Sequence, residues 1–327
     1  SILRYLKPNQ LIVLESTSYP GTTEEIIAEK LNGFQFKNSN SKIQIGTNFY
    51  VGYSPEREDP GNKKFTTKKI PKIVSGITNI CLDLTNSLYK KIVESTVPVS
   101  STRIAEMAKI VENVQRAINI GLMNELKIIS NKLDININEV IKAASTKPFG
   151  FMPFYPGPGL GGHCIPIDPI YLKWKARDKG EKTQFIDLAL KINREMPNYV
   201  IKNIKKALNS SNIKISKSKI LILGLSYKKN VDDCRESPSL VIIDKLIKLG
   251  ADVSFSDPYV SNFPKTRKYN YSLKSTVLKS ALIKKKDIVV LLTDHDIFDY
   301  EMILKESRLI VDARGKFTHH NKKIFLS

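Results

Sequence analysis

Residues 11–23 read L-I-V-L-E-S-T-S-Y-P-G-T-T. A short apolar run that stops at a carboxylate and gives way to hydroxyl residues, Pro and Gly has the composition of a buried strand opening into a loop, with a helix from about Thr22. Strand, loop, helix is the grammar of an α/β fold. Runs at Phe49–Tyr53, Lys72–Ser75 and Tyr89–Val93 have similar length and would complete a parallel sheet. No G-x-G-x-x-G follows a strand in this front part, and the chain opens on Ser in what reads as mid-domain. The expectation is a first nucleotide-binding domain truncated at its N-terminus.

From Ser100 the pattern changes. Ile104, Met107, Ala108, Val111, Val114, Ile118 and Leu122 recur at helical spacing, which predicts one amphipathic helix of about 30 residues, ~45 Å long. A helix of that length bridges domains or forms a dimer seam. A shorter helix over Ile137–Ser145, a Pro/Gly-rich loop over Pro148–Pro169 and a helical region over Ile170–Leu208 follow. The α/β grammar restarts at Lys219–Leu225, K-I-L-I-L-G-L, after the polar linker N-S-S-N-I-K-I-S-K-S. A helix over Ser239–Leu249, a strand over Asp252–Phe255 and buried strands in D-I-V-V-L-L-T and R-L-I-V-D-A make a second nucleotide-binding-like sheet. It has one glycine, Gly224, in place of a full phosphate fingerprint. The fold class is α/β, with two Rossmann-like parallel-sheet domains joined by a long central helix. The divisions fall at 1–97, 98–208 and 209–327.

The chain has 327 residues, 41% hydrophobic and 26% charged, enough for more than one core. Its 52 Lys+Arg against 32 Asp+Glu give a net charge of +20. The lysines are scattered in short groups such as Lys63-Lys64, Lys205-Lys206 and Lys284–Lys286, with no Arg-rich helix, so they read as solvated surface and not as a nucleic-acid footprint. No apolar run reaches the ~18 residues that would cross a bilayer. Cys81, Cys164 and Cys234 lie far apart without C-x-x-C pairing, which argues against a disulfide framework or a zinc site and for a reducing, cytoplasmic setting.

Residues 160–169 read L-G-G-H-C-I-P-I-D-P. A cysteine that only packs has no need of glycines before it, whereas a nucleophilic thiolate does, because Gly lets backbone and substrate approach closely. Taken alone, Cys164 is more often inert packing, and Lys109 and Asn113, four apart on one helix face, are more often a solvated face. Glu56, within the charged run E-R-E-D, has the same ordinary reading. His163 beside Cys164 lacks the further ligand spacing of a metal site. His319 and His320 read as a frayed surface near the terminus.

Five separated motifs change that balance: S-T-S-Y-P-G-T-T at 16–23, Y-S-P-E-R-E-D-P-G-N at 53–62, A-K-I-V-E-N at 108–113, G-P-G-L-G-G-H-C-I-P-I-D-P at 157–169 and Y-K-K-N-V-D-D-C-R-E-S-P at 227–238. In this order, over essentially the whole chain, they resemble the nucleotide-sugar 6-dehydrogenases. The loop K-P-F-G-F-M-P-F-Y-P and the stretch T-D-H-D-I-F look most like the UDP-N-acetylglucosamine branch. The resemblance implies oxidation of a sugar 6-hydroxyl to a carboxylate with two NAD in turn, through a thioester on Cys164. It implies that Lys109 and Asn113 stabilise oxyanions, that Asp168 helps hold the catalytic water, that Glu56 is a general base for hydrolysis, and that Thr17 lies near that water and the cofactor. The family's second glutamate is replaced here by Pro60. UDP-sugar binding would draw on Phe154, Tyr155 and Gly161, with Lys228 near the diphosphate, and Arg235 would reach the cofactor. The three divisions then become the C-terminal part of an NAD-binding domain, a central dimerisation domain with the catalytic loop, and a UDP-binding domain. The partners implied are a UDP-sugar and a second copy of the chain along the central helix, with no metal. The alternatives are a truncated, non-catalytic UDP-sugar-binding or dimerisation remnant, since no phosphate cradle for NAD is read, or a dehydrogenase of UDP-glucose or UDP-N-acetylmannosamine.

Overall fold

The computed structural model describes residues 2–37, 40–58, 65–317 and 321–327. Its contacts divide the chain into two compact units, residues 1–115 with 167–183, and residues 116–166 with 184–327.

The first unit is built on a four-stranded sheet in the order β1 (Gln10–Leu14), β2 (Phe49–Tyr53), β3 (Lys72–Gly76), β4 (Thr96–Pro98). Leu14 leads into the loop 15–22, and a π-helical stretch, Thr23–Ala28, runs into α1 (Glu29–Leu31). Strand β1 is parallel to β2, and β3 to β4, but β2 and β3 are antiparallel, with Gly52 opposite Gly76. The sheet is therefore mixed where the sequence suggests a parallel one. A parallel return needs a crossover of about a dozen residues, usually a helix. Between β2 and β3 the described residues offer only a single 3-10 turn, Thr67–Lys69.

Tyr89–Val93, expected to be a strand, instead ends α2 (Asn79–Tyr89) and the turn after it. Cys81, Thr85 and Tyr89 are the buried residues of α2, four apart, and Tyr89 and Val93 pack with Val74. The apolar positions here keep helical and not alternating spacing. Thr78 caps the helix by accepting from the Cys81 N–H.

Helix α3 (Thr102–Lys132) runs for 31 residues, and the division between the units falls within it. Its apolar stripe faces outward, with Ile104 48% and Leu122 46% exposed and Met107 and Val111 also exposed. The buried side carries Glu106, Lys109, Ile110, Asn113, Ala117, Asn124 and Lys127. Ile104 and Leu122 each lie nine residues from Asn113, about two and a half turns, so the stripe and the buried polar groups occupy opposite faces.

The second unit contains α4 (Ile137–Ala144) and a fully parallel five-stranded sheet. The order is β6 (Asp252–Ser256), β5 (Lys219–Leu223), β7 (Ile288–Leu291), β8 (Ile310–Asp312), β9 (Ile324–Leu326). Strands β5 and β7 are buried on both faces, which is why they read as continuous apolar runs. The expected helical region over Ile170–Leu208 is two helices, α5 (Asp168–Asp178) in the first unit and α6 (Gln184–Asn209) in the second. Gly180, at φ +83, lies between them. Helices α7 (Pro238–Lys248), α8 (Ser280–Lys284) and α9 (Tyr300–Glu306) complete the second unit.

Candidate active site

In the first unit, Lys109, Asn113 and Asp168 are 9%, 3% and 3% exposed, so the ordinary reading of a solvated helix face does not hold. Asn113 donates through Nδ2 to Asp168 Oδ2 at 2.6 Å. Asp168 is the first residue of α5, where a carboxylate meets the positive end of the helix, and Pro169 follows it at a position that needs no N–H. That bond fixes the orientation of the Asn113 amide.

The loop Ser16–Thr23 is clamped to α3 by Glu106, which the sequence analysis did not single out. Its carboxylate accepts from the Gly21 N–H at 2.5 Å, the Thr23 N–H at 2.8 Å and the Thr23 hydroxyl at 2.7 Å. Burial pushes the Glu106 carboxyl above its usual range, opposed by these donors. Arg103 with Glu24 and Lys175 with Glu25 hold the π-helical stretch that follows, and Tyr19 of the loop packs on Trp174 with ring centroids 5.0 Å apart. Thr17 sits half-buried on this loop.

Glu56, past the end of β2, faces Lys72 at 3.3 Å, and Lys72 also reaches Glu15 at 3.1 Å. Burial acts to raise the Glu56 carboxyl, but the Glu58 N–H, the Lys72 ammonium and the Arg57 N–H outweigh it and leave it below its usual range. It is thus a settled carboxylate and a weak base. Pro60, at the position of the second family glutamate, lies outside the described residues, as do His319 and His320.

Two hydroxyls in this unit, Ser18 Oγ and Tyr53 Oη, are buried without a hydrogen-bond partner. Tyr53 ends β2, and Ser18 lies in the loop after β1, beyond the C-terminal edge at which open α/β sheets take their ligands. Among the described residues of the unit, no glycine-rich turn follows a strand to cradle a pyrophosphate.

In the second unit, Cys164 is exposed, while Cys81, in the first unit, is buried. Burial, with Asp257, Asp233 and Asp232 nearby, pushes the half-buried Cys234 thiol up to about 12. Of the three, Cys164 alone combines access with a flexible backbone approach. The two glycines before it are required by Tyr227: a Cβ on Gly161 would lie 2.5 Å from Tyr227 Cβ, and Gly162, at φ +85, has the Tyr227 ring 3.1 Å from the same point. The Gly162 N–H donates to the Arg235 carbonyl at 2.8 Å. Segment 227–238 thereby sets the position of the G-G-H-C turn. The Arg235 guanidinium is exposed and paired with Asp233 at 2.7 Å. Lys228 is half-buried on the same segment; Phe154 is half-buried and Tyr155 exposed on the Pro/Gly-rich loop.

That loop is anchored by α3. Asn124 Oδ1 accepts from the Gly157 N–H at 2.9 Å, and Lys127 Nζ donates to the Gly157 carbonyl at 3.2 Å. Lys127 is 3% exposed, and burial, reinforced by Arg314 and opposed by Asp312, brings it down to about 7. Gly157–Gly162 spells G-x-G-x-x-G, but it follows no strand and opens no helix, so it is not a dinucleotide turn. The second sheet does not offer one either. Gly224 is closed off by Thr293, 2.4 Å from where a Cβ would stand, and Asp257 at the end of β6 spends its carboxylate on the N–H groups of Leu225, Ser226, Tyr259 and Val260.

Three family descriptions match the chain in succession: the UDP-glucose/GDP-mannose dehydrogenase family NAD binding domain over residues 1–93, its central domain over 103–195 and its UDP binding domain over 221–319. Protein CapL of Staphylococcus aureus is 36% identical over 318 residues, which is 95% of this chain and 72% of that protein. The chain belongs to the UDP-glucose/GDP-mannose dehydrogenase family. The UDP-N-acetyl-D-glucosamine 6-dehydrogenase of Pseudomonas aeruginosa is 39% identical over 80% of this chain, and the chain spans 60% of its length. Among solved structures, the UDP-D-ManNAc dehydrogenase of Pyrococcus horikoshii superposes with a TM-score of 0.84 at 30% identity, covering 99% of this chain and 73% of that one. The family resemblance read from the five motifs is borne out, and NAD is the cofactor for which the first matching domain is described. Among the described residues no group of three or more His, Cys, Asp or Glu could hold a metal ion, and no helix is long and apolar enough to cross a membrane.

Proposed function

We propose that this chain carries the reaction centre of an NAD-dependent dehydrogenase that oxidises the 6-hydroxyl of a UDP-N-acetylhexosamine, UDP-N-acetylglucosamine in our reading, to the carboxylate for polysaccharide precursor synthesis. The observation that carries it is the buried set Lys109, Asn113 and Asp168, with the exposed Cys164 four residues ahead of Asp168 in the chain. NAD, when bound, takes a hydride from C6 in each of two oxidations. The Cys164 thiolate adds to the intermediate aldehyde carbon and keeps that reactive group bound between the oxidations. Lys109 and the Asn113 amide donate to the oxygen that carries negative charge in the alkoxide and the thiohemiacetal, and burial strengthens both donors. Asp168 fixes the Asn113 amide for that task. Thr17 and Glu56 address the water that hydrolyses the thioester, with Glu56 as its acceptor. Phe154, Tyr155 and Gly161 take the UDP-sugar, Lys228 the diphosphate, and Arg235 the cofactor, where fixed positive charge suits phosphate oxygens.

The finer assignments are part of the same proposal. The divisions at 97 and 208 separate cofactor, central and UDP-binding functions. A homodimer forms along the outward apolar stripe of α3, which a monomer would leave in water. The compartment is the cytoplasm, a setting supported by three cysteines spaced far apart without C-x-x-C pairing. UDP-N-acetylglucosamine is preferred because the 39% identical relative is named for it, although the P. horikoshii protein is named for the mannosamine sugar.

The test is the yield of NADH from the full protein offered UDP-N-acetylglucosamine, UDP-N-acetylmannosamine or UDP-glucose at matched concentrations. Two NADH per molecule of the first, with at least ten-fold lower turnover of the others, is expected. Two NADH from the mannosamine sugar alone would move the substrate assignment, and UDP-sugar binding without NADH would leave a binding module.

A further inference from the structure

The stretch T-D-H-D, residues 293–296, carries a histidine that the mechanism does not use. His295 is fully buried, and both ring nitrogens are engaged. The Asn230 N–H donates to Nδ1 at 2.9 Å. Because Nδ1 accepts, the ring proton sits on Nε2, which faces Asp257 Oδ2 at 3.1 Å and Ser226 Oγ at 3.3 Å. Ser226 Oγ in turn donates to the Lys228 carbonyl at 2.9 Å, so it meets the imidazole N–H with a lone pair.

The neighbours of His295 close the same loop. Thr293 Oγ1 donates to the Ser226 carbonyl at 2.6 Å. The Asp296 N–H donates to Asn230 Oδ1 at 3.0 Å, and Asn230 Nδ2 returns a bond to Asp296 Oδ2 at 2.6 Å. Asn230 itself holds φ +62, a left-handed conformation that a non-glycine residue keeps only where its surroundings fix it. The ring has no room to turn: Tyr259 and Phe298 flank it at centroid distances of 5.1 and 5.4 Å, and Tyr300 Oη donates to its carbonyl at 2.7 Å.

We infer that His295 is a positioning residue for nucleotide binding, whose Nδ1 holds the turn Ser226–Asn230 so that Lys228 is presented to the diphosphate and Tyr227 to the glycines before Cys164. This rests on the reading that Lys228 takes the diphosphate. The turn is gripped at both ends, at Ser226 and at Asn230, and the imidazole touches both. Substituting it by a residue that keeps the Nε2 side alone frees the Asn230 end.

Two substitutions separate the halves of the ring. His295→Asn places an amide oxygen where Nδ1 stands and retains an acceptor for the Asn230 N–H; His295→Gln places an amide nitrogen where Nε2 stands and retains the bond to Asp257. With UDP alone as the probe, titration calorimetry is expected to give an affinity for His295→Asn within three-fold of the parent and for His295→Gln at least ten-fold weaker. Hydrogen exchange at the Asn230 amide should accelerate in His295→Gln and not in His295→Asn. Unchanged UDP affinity or unchanged Asn230 protection in His295→Gln overturns the inference, and so does equal loss in both variants, which marks a merely structural imidazole. Lys228→Met tests the underlying reading separately: if it binds UDP as the parent does, Lys228 does not hold the diphosphate, whatever His295 does.

Discussion

Lys127 offers a quantitative test of how α3 holds the Pro/Gly-rich loop. Its ammonium is buried beside Arg314, and burial lowers it from the ordinary 10.5 to about 7. A lysine lowered in the folded state binds fewer protons there than in the unfolded chain between those two values. Stability therefore rises with pH through that window, and the penalty is complete below pH 7 and gone above 10.5. The slope approaches about 1.4 kcal/mol per pH unit, so roughly 2 kcal/mol separates pH 7.5 from pH 9.5.

Lys127→Met keeps the stem and removes the ionisable group, at the cost of one donor to the Gly157 carbonyl, about 1–2 kcal/mol. The variant should be more stable than the parent by about 2 kcal/mol at pH 7.5, and the advantage should vanish near pH 9.5. Urea unfolding followed by circular dichroism at both pH values gives the double difference, in which titrations common to both proteins cancel. Parallel stabilities at the two pH values would refute the reasoning, because they would mean that Lys127 keeps its water and its charge.

Three further outcomes are expected. Cys164→Ser should lose acid product by about two orders of magnitude or more while UDP binding stays within a few-fold, since a serine alkoxide forms less readily than a thiolate; full two-NADH turnover would remove Cys164 as nucleophile. Glu106→Gln replaces an acceptor of three hydrogen bonds by a group with one oxygen and an NH2 that meets donors, and should cost about 2–4 kcal/mol in urea unfolding; a loss under about 0.5 kcal/mol would show that the carboxylate does not anchor the loop. Val111→Arg with Leu122→Arg should halve the molar mass measured by light scattering if the outward stripe of α3 joins two copies, and an unchanged mass would send the search for that interface elsewhere.

The length and type of α3 were legible because its apolar residues keep a 3.6 period. The face it buries was not, because hydropathy takes Lys109, Asn113 and Lys127 for a solvated side. Their burial depends on partners such as Asp168, which lies 55 residues from Asn113 in the chain, and local composition cannot see such partners. Glu106 was hidden for the same reason, its acceptors being matched to a loop more than 80 residues earlier.

The runs that form β5, β7 and β8 were legible, since burial on both faces writes them as unbroken apolar stretches, whereas the partly buried strand β9 was not read at all. The antiparallel turn-back of β3 was not, since strand direction is set by the connection and not by the strand. Tyr89–Val93 shows the limit of run length as a signal: two lysines between apolar residues fit the last turn of a helix as well as a strand edge.

The glycines before Cys164 were read as room for a substrate. In the fold, that room is claimed first by Tyr227, whose turn is tied to His295. A residue that removes Cβ atoms at 161 and 162 thus serves two demands, packing against the turn that bears Lys228 and leaving the thiol of Cys164 accessible. The first demand explains why both glycines are needed, and the second why the cysteine between them and Asp168 remains exposed.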